Sequence, residues 1–366
     1  MKFQRYAIGL FFLSLSSLQL SASEWELMFY NVENLFDTVH DEGKNDATFL
    51  PLNHPLKQSE CKKVSIYHFR KQCFKTDWTE EKLELKMNQI RDVLTLERGD
   101  LPDILAVSEI ENANVAGKLA KVLGYSEFVV SNSPDERGID LAVFYKSDKV
   151  KKVRSIEHRL VDLKNPTRNI LEVHLKLEDK ELAVFVNHWP SQGNPSSHRH
   201  YAAKTLRQKM LETKKKYPGI KVIAVGDFNT IDSEKPSPFS SLLDDKSRKA
   251  SFVDVHQEYY EGSYERAGAF KRREIAGSYF YTRKAKWNRL DRIIVSSDLL
   301  DYKTAQGDLS LILESYEIYG PDFISKRWDT RGNDYEIIPK RYNFNATNRQ
   351  LAGYSDHYPV LVRIMR

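Results

Sequence analysis

Residues 221–229 read Lys-Val-Ile-Ala-Val-Gly-Asp-Phe-Asn. The run Lys221–Val225 has the length and β-branched content of a strand. It ends in Gly226-Asp227-Phe228-Asn229, so a carboxylate and an amide sit two residues apart at the strand terminus. The arrangement recurs at four other places. Asn31-Val32-Glu33-Asn34 closes the strand-like Trp25–Asn31, and Ser108-Glu109-Ile110-Glu111-Asn112 closes Ile104–Ile110. Asn187-His188-Trp189 closes Leu182–Asn187, and Ser355-Asp356-His357 precedes Pro359–Ile364. A further acid, Asp291, lies inside the strand-like Leu290–Ser296, where an unpartnered carboxylate is rare. Polar groups at the ends of several strands can converge on one cleft. A period of two places Asn31 and Glu33 on one side of their strand, and Asp227 and Asn229 on one side of theirs.

Between these motifs, strands alternate with helices. Strands are expected at Glu127–Ser131, Asp140–Tyr145, Val150–Leu160, Ile170–Leu177 and Tyr279–Thr282. Asp77 with Glu80 reads as a capping signature. It opens a helix to about Leu96, with Leu83, Met87, Ile90 and Leu94 on one stripe and Gly99 and Pro102 beyond its end. Helices are also expected near Val115–Leu123 and over His198–Tyr217. Residues 38–77 are polar and lack a period, so they read as a loop insertion. The strands are spread evenly and no linker or repeat interrupts them, which points to one domain over residues 24–366.

Composition supports a globular chain. Of 366 residues, 41% are hydrophobic and 29% charged, enough for a sizeable core. The net charge is +5. Removing residues 1–23 takes away Lys2, Arg5 and no acid, leaving +3, which excludes a histone-like polycation and permits an anionic substrate. Residues 1–23 read as a signal peptide: Lys2 and Arg5 precede the apolar run Tyr6–Leu18, and Ser21-Ala22-Ser23 offers small residues for cleavage before Glu24. The chain is therefore expected to be secreted or periplasmic. No internal stretch reaches the roughly 20 apolar residues of a membrane span, so no stable membrane insertion is expected. Two cysteines exclude a Cys-rich scaffold or a Cys-based zinc site. Cys61 and Cys73 share a Lys-rich stretch, and an oxidising compartment favours a disulfide between them.

Each motif alone is weak; a lone Gly-Asp-x-Asn is usually a turn. Together the acids suit the hydrolysis of a phosphate ester. Carboxylate and amide oxygens fit a hard cation, Mg²⁺ or Mn²⁺. A carboxylate can align or deprotonate the attacking water, and an imidazolium can hydrogen-bond the charge that builds on phosphoryl oxygens.

In this order the motifs resemble those of the endonuclease/exonuclease/phosphatase superfamily, over about Trp25–Ile364. The opening Tyr30-Asn31-Val32-Glu33-Asn34-Leu35-Phe36 resembles that of a bacterial exported subgroup. Arg137-Gly138-Ile139-Asp140, Asn187-His188-Trp189-Pro190-Ser191, Gly277-Ser278-Tyr279 with Trp287, and Gly353-Tyr354-Ser355-Asp356-His357 also match. The resemblance implies a deoxyribonuclease I-like, four-layer α/β/β/α sandwich, two mostly antiparallel β-sheets flanked by helices. It implies that Glu109 binds the principal metal, with Glu33 and Asp356 as further acidic metal ligands and Asn31 supporting metal and phosphate. Asp227 would activate water, Asn229 orient phosphate and His357 stabilise it, with Asp291 holding His357. His188 would be a general acid. Arg137, Arg199 and Trp189 are candidate phosphate or substrate contacts.

The superfamily hydrolyses DNA, RNA, inositol phosphates and sphingomyelin, so the reaction class is read before the substrate. Export argues against intracellular repair and signalling. The basic stretches Lys149–Arg154, Lys204–Lys216, Phe270–Arg273 and Arg283–Arg289 favour a nucleic acid, DNA ahead of RNA, cut by an endonuclease acting as a monomer. A sphingomyelinase or other phospholipase C-type enzyme is the alternative, but no apolar docking hairpin is visible. A catalytically inactive phosphate-binding module would lack one of Glu109, Asp227, Asn229, Asp356 and His357, and all are present.

Overall fold

The computed structural model describes residues 23–366 except 164, 244–250, 262–274, 301–306 and 331–333. The expected signal segment and the basic stretch at 270–273 therefore lie outside the described residues. The chain builds β1 (Glu24–Leu35), β2 (Ile104–Ile110), β3 (Glu127–Val130) and β4 (Asp140–Tyr145), then β5 (Val150–His158), β6 (Ile170–Leu177), β7 (Lys180–His188), β8 (Lys221–Asp227) and β9 (Phe252–Asp254). A short hairpin, β10 (Tyr279–Tyr281) and β11 (Lys286–Asn288), precedes β12 (Asp291–Ser296). β13 (Ser310–Ile318), a second hairpin of β14 (Ser325–Asp329) and β15 (Tyr335–Pro339), and β16 (Val360–Met365) complete the strands. The helices are α1 (Lys57–Lys63), α2 (Tyr67–Lys75), α3 (Glu80–Thr95), α4 (Ala113–Leu123), α5 (Ser196–Lys216), α6 (Val255–Glu261) and α7 (Arg349–Ala352).

Two mixed six-stranded sheets result, in the orders β13-β16-β1-β2-β4-β3 and β5-β6-β7-β8-β12-β9. Each has one parallel pair, β1 with β2 and β7 with β8; the other pairs are antiparallel. The sheets face each other across one core, where Phe29, Ala106 and Val143 of the first join Val184, Ile223 and Val225 of the second. Strands buried on both faces read as unbroken apolar runs, as Ile104–Val107 and Val222–Val225 do. α3 and α4 cover the first sheet through Leu83, Met87, Ile90, Leu94, Val115 and Leu119. α5 covers the second through Ala202, Ala203, Leu206 and Met210, which pack on Phe185, Val222 and Ala224. The four-layer sandwich expected from the sequence is thus the observed fold.

A parallel pair brings two carboxyl ends to the same edge of a sheet. In β7 and β8 the register matches Asn187 with Gly226 and His188 with Asp227. β12 runs antiparallel to β8, so its first residue, Asp291, pairs with the last of β8, Asp227. The first sheet aligns Asn31 with Ser108 in the same way.

The insertion departs from expectation. Residues 38–77 are not a loop; they hold a 3-10 turn at Ala47–Phe49 and the helices α1 and α2. Cys61 of α1 and Cys73 of α2 are joined by a disulfide, as expected, and both are fully buried. The nucleus is a lysine. Lys57 Nζ donates to the carbonyls of Ala47, Thr48, Leu50 and Thr76 at 2.8–3.1 Å. Burial lowers its pKa to about 8. A lysine in this role carries no hydrophobic period, which is why the segment read as loop. The expected cap is also displaced: α3 starts after Thr79, and Asp77 instead accepts from the Leu52 amide at 2.8 Å.

At Gly226 the neighbouring strand comes so close that a Cβ would lie 2.3 Å from the Asn187 carbonyl oxygen. Gly226→Ala is expected to destabilise the protein by about 1–3 kcal/mol through overpacking, read as a lower urea midpoint. An unchanged midpoint would mean that β7 and β8 do not approach this closely.

Candidate active site

The ends of β1, β2, β7, β8 and β12 and the loop before β16 meet at one edge of the sandwich. Among the described residues with positive φ that are not glycine, four lie in these motifs: Glu33, Asn34, Glu109 and Asn229, at 52°, 61°, 64° and 49°. Each left-handed residue costs about 1–2 kcal/mol. The cost fits a backbone bent to aim side chains rather than to extend a strand. It also corrects the two-residue period at the end of β1. Asn31 Nδ2 points to Asp227 Oδ2 at 3.1 Å and Glu109 Oε1 at 3.4 Å. Asn31 Oδ1 accepts from the Glu33 amide at 3.0 Å. The left-handed Glu33 turns away, and its carboxylate is taken by Arg341 Nε and by the Tyr342 amide, the latter at 3.0 Å.

Asp227 is the most crowded acid. It is buried, accepts from the Asn229 amide at 2.9 Å, and lies 3.7 Å from His188 Nε2 and 3.9 Å from His357 Nε2. Burial first, then Asp291 and Glu109, push its carboxyl up to about 7 against the pull of His357. His357 Nδ1 meets Asp291 Oδ2 at 2.6 Å. Burial pulls that imidazole down, but Asp291 at hydrogen-bond distance and Asp227 override it and hold it well above its ordinary value, so it is an imidazolium at neutral pH. Ser355 Oγ ties the loop in place by donating to the Asn31 carbonyl at 2.7 Å and accepting from the His357 amide at 3.1 Å. The Asp291 backbone is fixed in turn by Ser278 Oγ at 3.0 Å.

His188 behaves differently. Burial, then Arg168, Arg137 and His357, hold it well below its ordinary pKa. A neutral imidazole does not fit the general-acid role expected of it; it can donate a hydrogen bond through Nε2, which lies 3.8 Å from Glu109. Arg168, which the sequence did not single out, braces this corner by donating to the carbonyls of His188 and Trp189 at 3.1 and 2.7 Å.

Asp227, Asp291 and His357 offer ligand atoms within 4.8 Å of one another. Because His357 Nδ1 is already bonded to Asp291, we read the trio as a hydrogen-bonded His357–Asp291 pair with Asp227 beside it at 3.9 Å. Of the expected metal ligands, Glu109 and Asp356 line the cleft with solvent contact, their side chains 16% and 22% exposed. Their hard oxygen donors fit a divalent cation such as Mg²⁺ or Mn²⁺. Glu33 fits less well as a ligand, because Arg341 and the Tyr342 amide occupy its oxygens. Burial, then Asp356, push its carboxyl up to about 8, against Arg341 and Lys86.

The cleft has a volume of about 1050 Å³ and is lined by Glu109, His188, Asp227, Asn229, Asp356 and His357. Arg137 also lines it, with a half-exposed side chain 3.9 Å from Asp135. Arg199 does not serve as a phosphate contact: it is buried, paired with Glu234 at 2.6 Å, and donates to the Pro190 and Ser191 carbonyls. Trp189 is equally unavailable. Its ring packs on Phe228 and Phe239, and Nε1 donates to Asn187 Oδ1 at 3.1 Å. Both residue types suit a substrate contact; only the direction of the side chain, which sequence does not carry, rules them out. Tyr279, stacked obliquely 5.0 Å from His357, was within reach of the Gly277-Ser278-Tyr279 motif. Arg341 and Lys86 belong to no motif.

A two-sheet α/β sandwich with carboxylates, an imidazolium and a neutral imidazole at its edge defines a fold and site suited to metal-assisted phosphate-ester hydrolysis. Residues 26–366 match the Endonuclease/Exonuclease/phosphatase family, and the chain belongs to it. Members of this family are hydrolytic phosphoesterases that generally depend on a divalent metal. The fold is similar to that of an endonuclease/exonuclease/phosphatase family protein from Bacteroides thetaiotaomicron, with TM-score 0.56, 16% identity, and 94% of this chain and 98% of that one covered. It is also similar to the mannosyl-6-phosphatase Bt3783 of that organism (TM-score 0.52, 16% identity, 93% and 99% covered). A third likeness is to D. rerio TDP2 complexed with a single-stranded DNA product (TM-score 0.53, 14% identity, 93% and 99% covered). No curated protein sequence matches the chain.

With Asp227 raised to about 7, the proton-accepting form is lost on the acid side. kcat/KM is expected to fall as pH drops below about 7, and this limb should move to lower pH as Mg²⁺ is raised, because a nearby cation favours the carboxylate. A flat profile from pH 5 to 8 would contradict the assignment of Asp227 as base.

Proposed function

We propose that the protein is an exported, Mg²⁺- or Mn²⁺-dependent phosphodiesterase that cuts nucleic acid as an endonuclease, DNA ahead of RNA, and works as a monomer. The observation that carries this reading is the rim of the cleft. Arg137, Lys284 and Lys286, with Tyr279 and Tyr281, line the same space as Asp227 and His357. A polyanion would find cations and aromatic faces beside the reacting group. Among the described residues, the Arg283–Arg289 stretch contributes here through Lys284 and Lys286. Lys149–Arg154 and Lys204–Lys216 lie toward the other end of the second sheet, where Val150 begins β5 and Lys214 pairs with Asp298 beside Lys221, the first residue of β8.

The residues divide the work as follows. Asp227 takes a proton from the attacking water, held by Asn31 and the Asn229 amide so that its lone pairs point into the cleft. His357, charged and fixed by Asp291, donates through Nε2 to phosphoryl oxygen as negative charge builds there. Neutral His188 adds a second donor. Asn229 spends one amide hydrogen on the Trp189 carbonyl at 3.1 Å and keeps the other for phosphate. A divalent cation held by Glu109 and Asp356 would supply charge to the phosphate and the leaving oxygen. Export is supported by the signal-like N-terminus and by the buried disulfide.

One observation favours a lipid phosphodiester as a second reading. The insertion exposes Ile66, Tyr67 and Phe69 by 56%, 70% and 53%, an apolar surface that the sequence did not reveal as a docking segment. Turnover of plasmid DNA, RNA, bis-p-nitrophenyl phosphate and sphingomyelin, each with and without EDTA, separates the readings. We expect nucleic acid to be cut, the small diester to be cut slowly, and all activity to vanish in EDTA. Robust sphingomyelin cleavage without activity on DNA or RNA across several metals would reverse the ranking.

A further inference from the structure

A second groove of about 660 Å³ adjoins the cleft. One wall is α2, which presents His68, Lys71 and Lys75 at helical spacing beside Phe69, Gln72 and Thr76. The other wall is Arg283, from the turn of the β10–β11 hairpin, and the segment Arg341–Asn345. Among the described residues, no aspartate or glutamate lines the groove. The two spaces are continuous at two residues. Phe69 lines both, and Arg341 lines the groove while lying 3.6 Å from Asp356 in the cleft. The wall is held in place from behind: the disulfide ties α2 to α1, and Lys57 anchors both ends of the insertion. A cationic surface fixed before its ligand arrives loses little entropy on binding.

We propose that this groove, built by the insertion, holds the nucleic-acid strand on one side of the scissile phosphate. Lys71, Lys75 and Arg283 take the flanking phosphates, and Phe69 stacks on the base at the mouth of the cleft. The occupant is single-stranded, because an unpaired base offers the exposed ring an open face, whereas a duplex would first have to unstack. Charge favours this occupant over a membrane: Lys71, Lys75 and Arg283 line one groove from both walls, while Arg70 is the cation beside the exposed Tyr67 ring. The inference rests on the nucleic-acid reading of the cleft and names how that substrate is held.

The test is binding of a fluorescein-labelled twelve-residue oligothymidylate to the full chain in EDTA, by anisotropy across a salt series, so that no cleavage is needed. The triple variant Lys71→Ala/Lys75→Ala/Arg283→Ala should bind at least about tenfold more weakly, and its salt slope should fall by about 2, from three lost phosphate contacts on a single strand. Phe69→Ala should lose about fivefold or more with the slope unchanged. Turnover of bis-p-nitrophenyl phosphate by the triple variant should equal that of the parent, since a small diester does not reach the groove. Wild-type affinity in the triple variant, or no binding by the parent, would overturn the proposal. So would co-sedimentation with phosphatidylglycerol vesicles that Phe69→Ala abolishes while oligonucleotide affinity is kept. A parent chain that binds through the groove yet leaves the oligonucleotide uncut with Mg²⁺ and Mn²⁺ would uphold the groove and remove the nuclease reading, so the two failures are distinct.

Discussion

A single buried carboxylate, Asp227, ties the site to the fold. It accepts from Asn31 of the first sheet and from the Asn229 amide that follows its own strand, and it faces His188 and His357 across the cleft. An ionised acid out of water is costly unless donors and opposite charge surround it. These donors come from both sheets, so the environment that makes Asp227 tolerable exists only when the sandwich is closed. The parallel pairs at the centre of each sheet deliver them, because they align the carboxyl ends of β1 with β2 and of β7 with β8.

The same arrangement sets the energetics. Asp227 titrates higher in the fold than in an unfolded chain, so its proton is bound more tightly by the native state. Native stability from this group is therefore greatest in acid and declines as pH rises from about 4 to about 7. Positive φ at Glu33, Glu109 and Asn229 adds to the cost. A divalent cation beside Glu109 and Asp356 would offset both, which links metal affinity to the strain stored in the strand ends. Arg341 and Lys86 already supply part of that positive charge on the Glu33 side. Lys86 is fully buried over the Tyr342 ring at 3.8 Å, and burial lowers its pKa to about 8.

The parts that were legible in the sequence share a cause. Strands buried on both faces announce themselves as apolar runs, and polar residues at their ends stand out against them, so Asn31, Glu109, His188, Asp227 and Asp291 were visible at once. What failed to show is direction and local context. Arg199 and Trp189 carry the chemistry of substrate contacts, yet one is locked to Glu234 and the other is packed between phenylalanines. Glu33 obeys the two-residue period in sequence and breaks it in space because of its left-handed backbone. The helices of the insertion are organised by the Lys57 ammonium and a disulfide, neither of which leaves a hydrophobic period. β13 and the β14–β15 hairpin, with their mixed composition, were likewise not read as strands.

If one carboxylate is the point where both sheets and the chemistry meet, replacing it by its neutral isostere should spare the fold and spoil the reaction. The direct measurement is kcat and KM of Asp227→Asn on a diester substrate with Mg²⁺ saturating and folding confirmed by circular dichroism. The account predicts a fall in kcat of about a hundredfold or more with KM little changed, since the shape is kept while the proton acceptor is lost together with one of the two hydrogen bonds from Asn31 and the Asn229 amide. Near-normal turnover would contradict it.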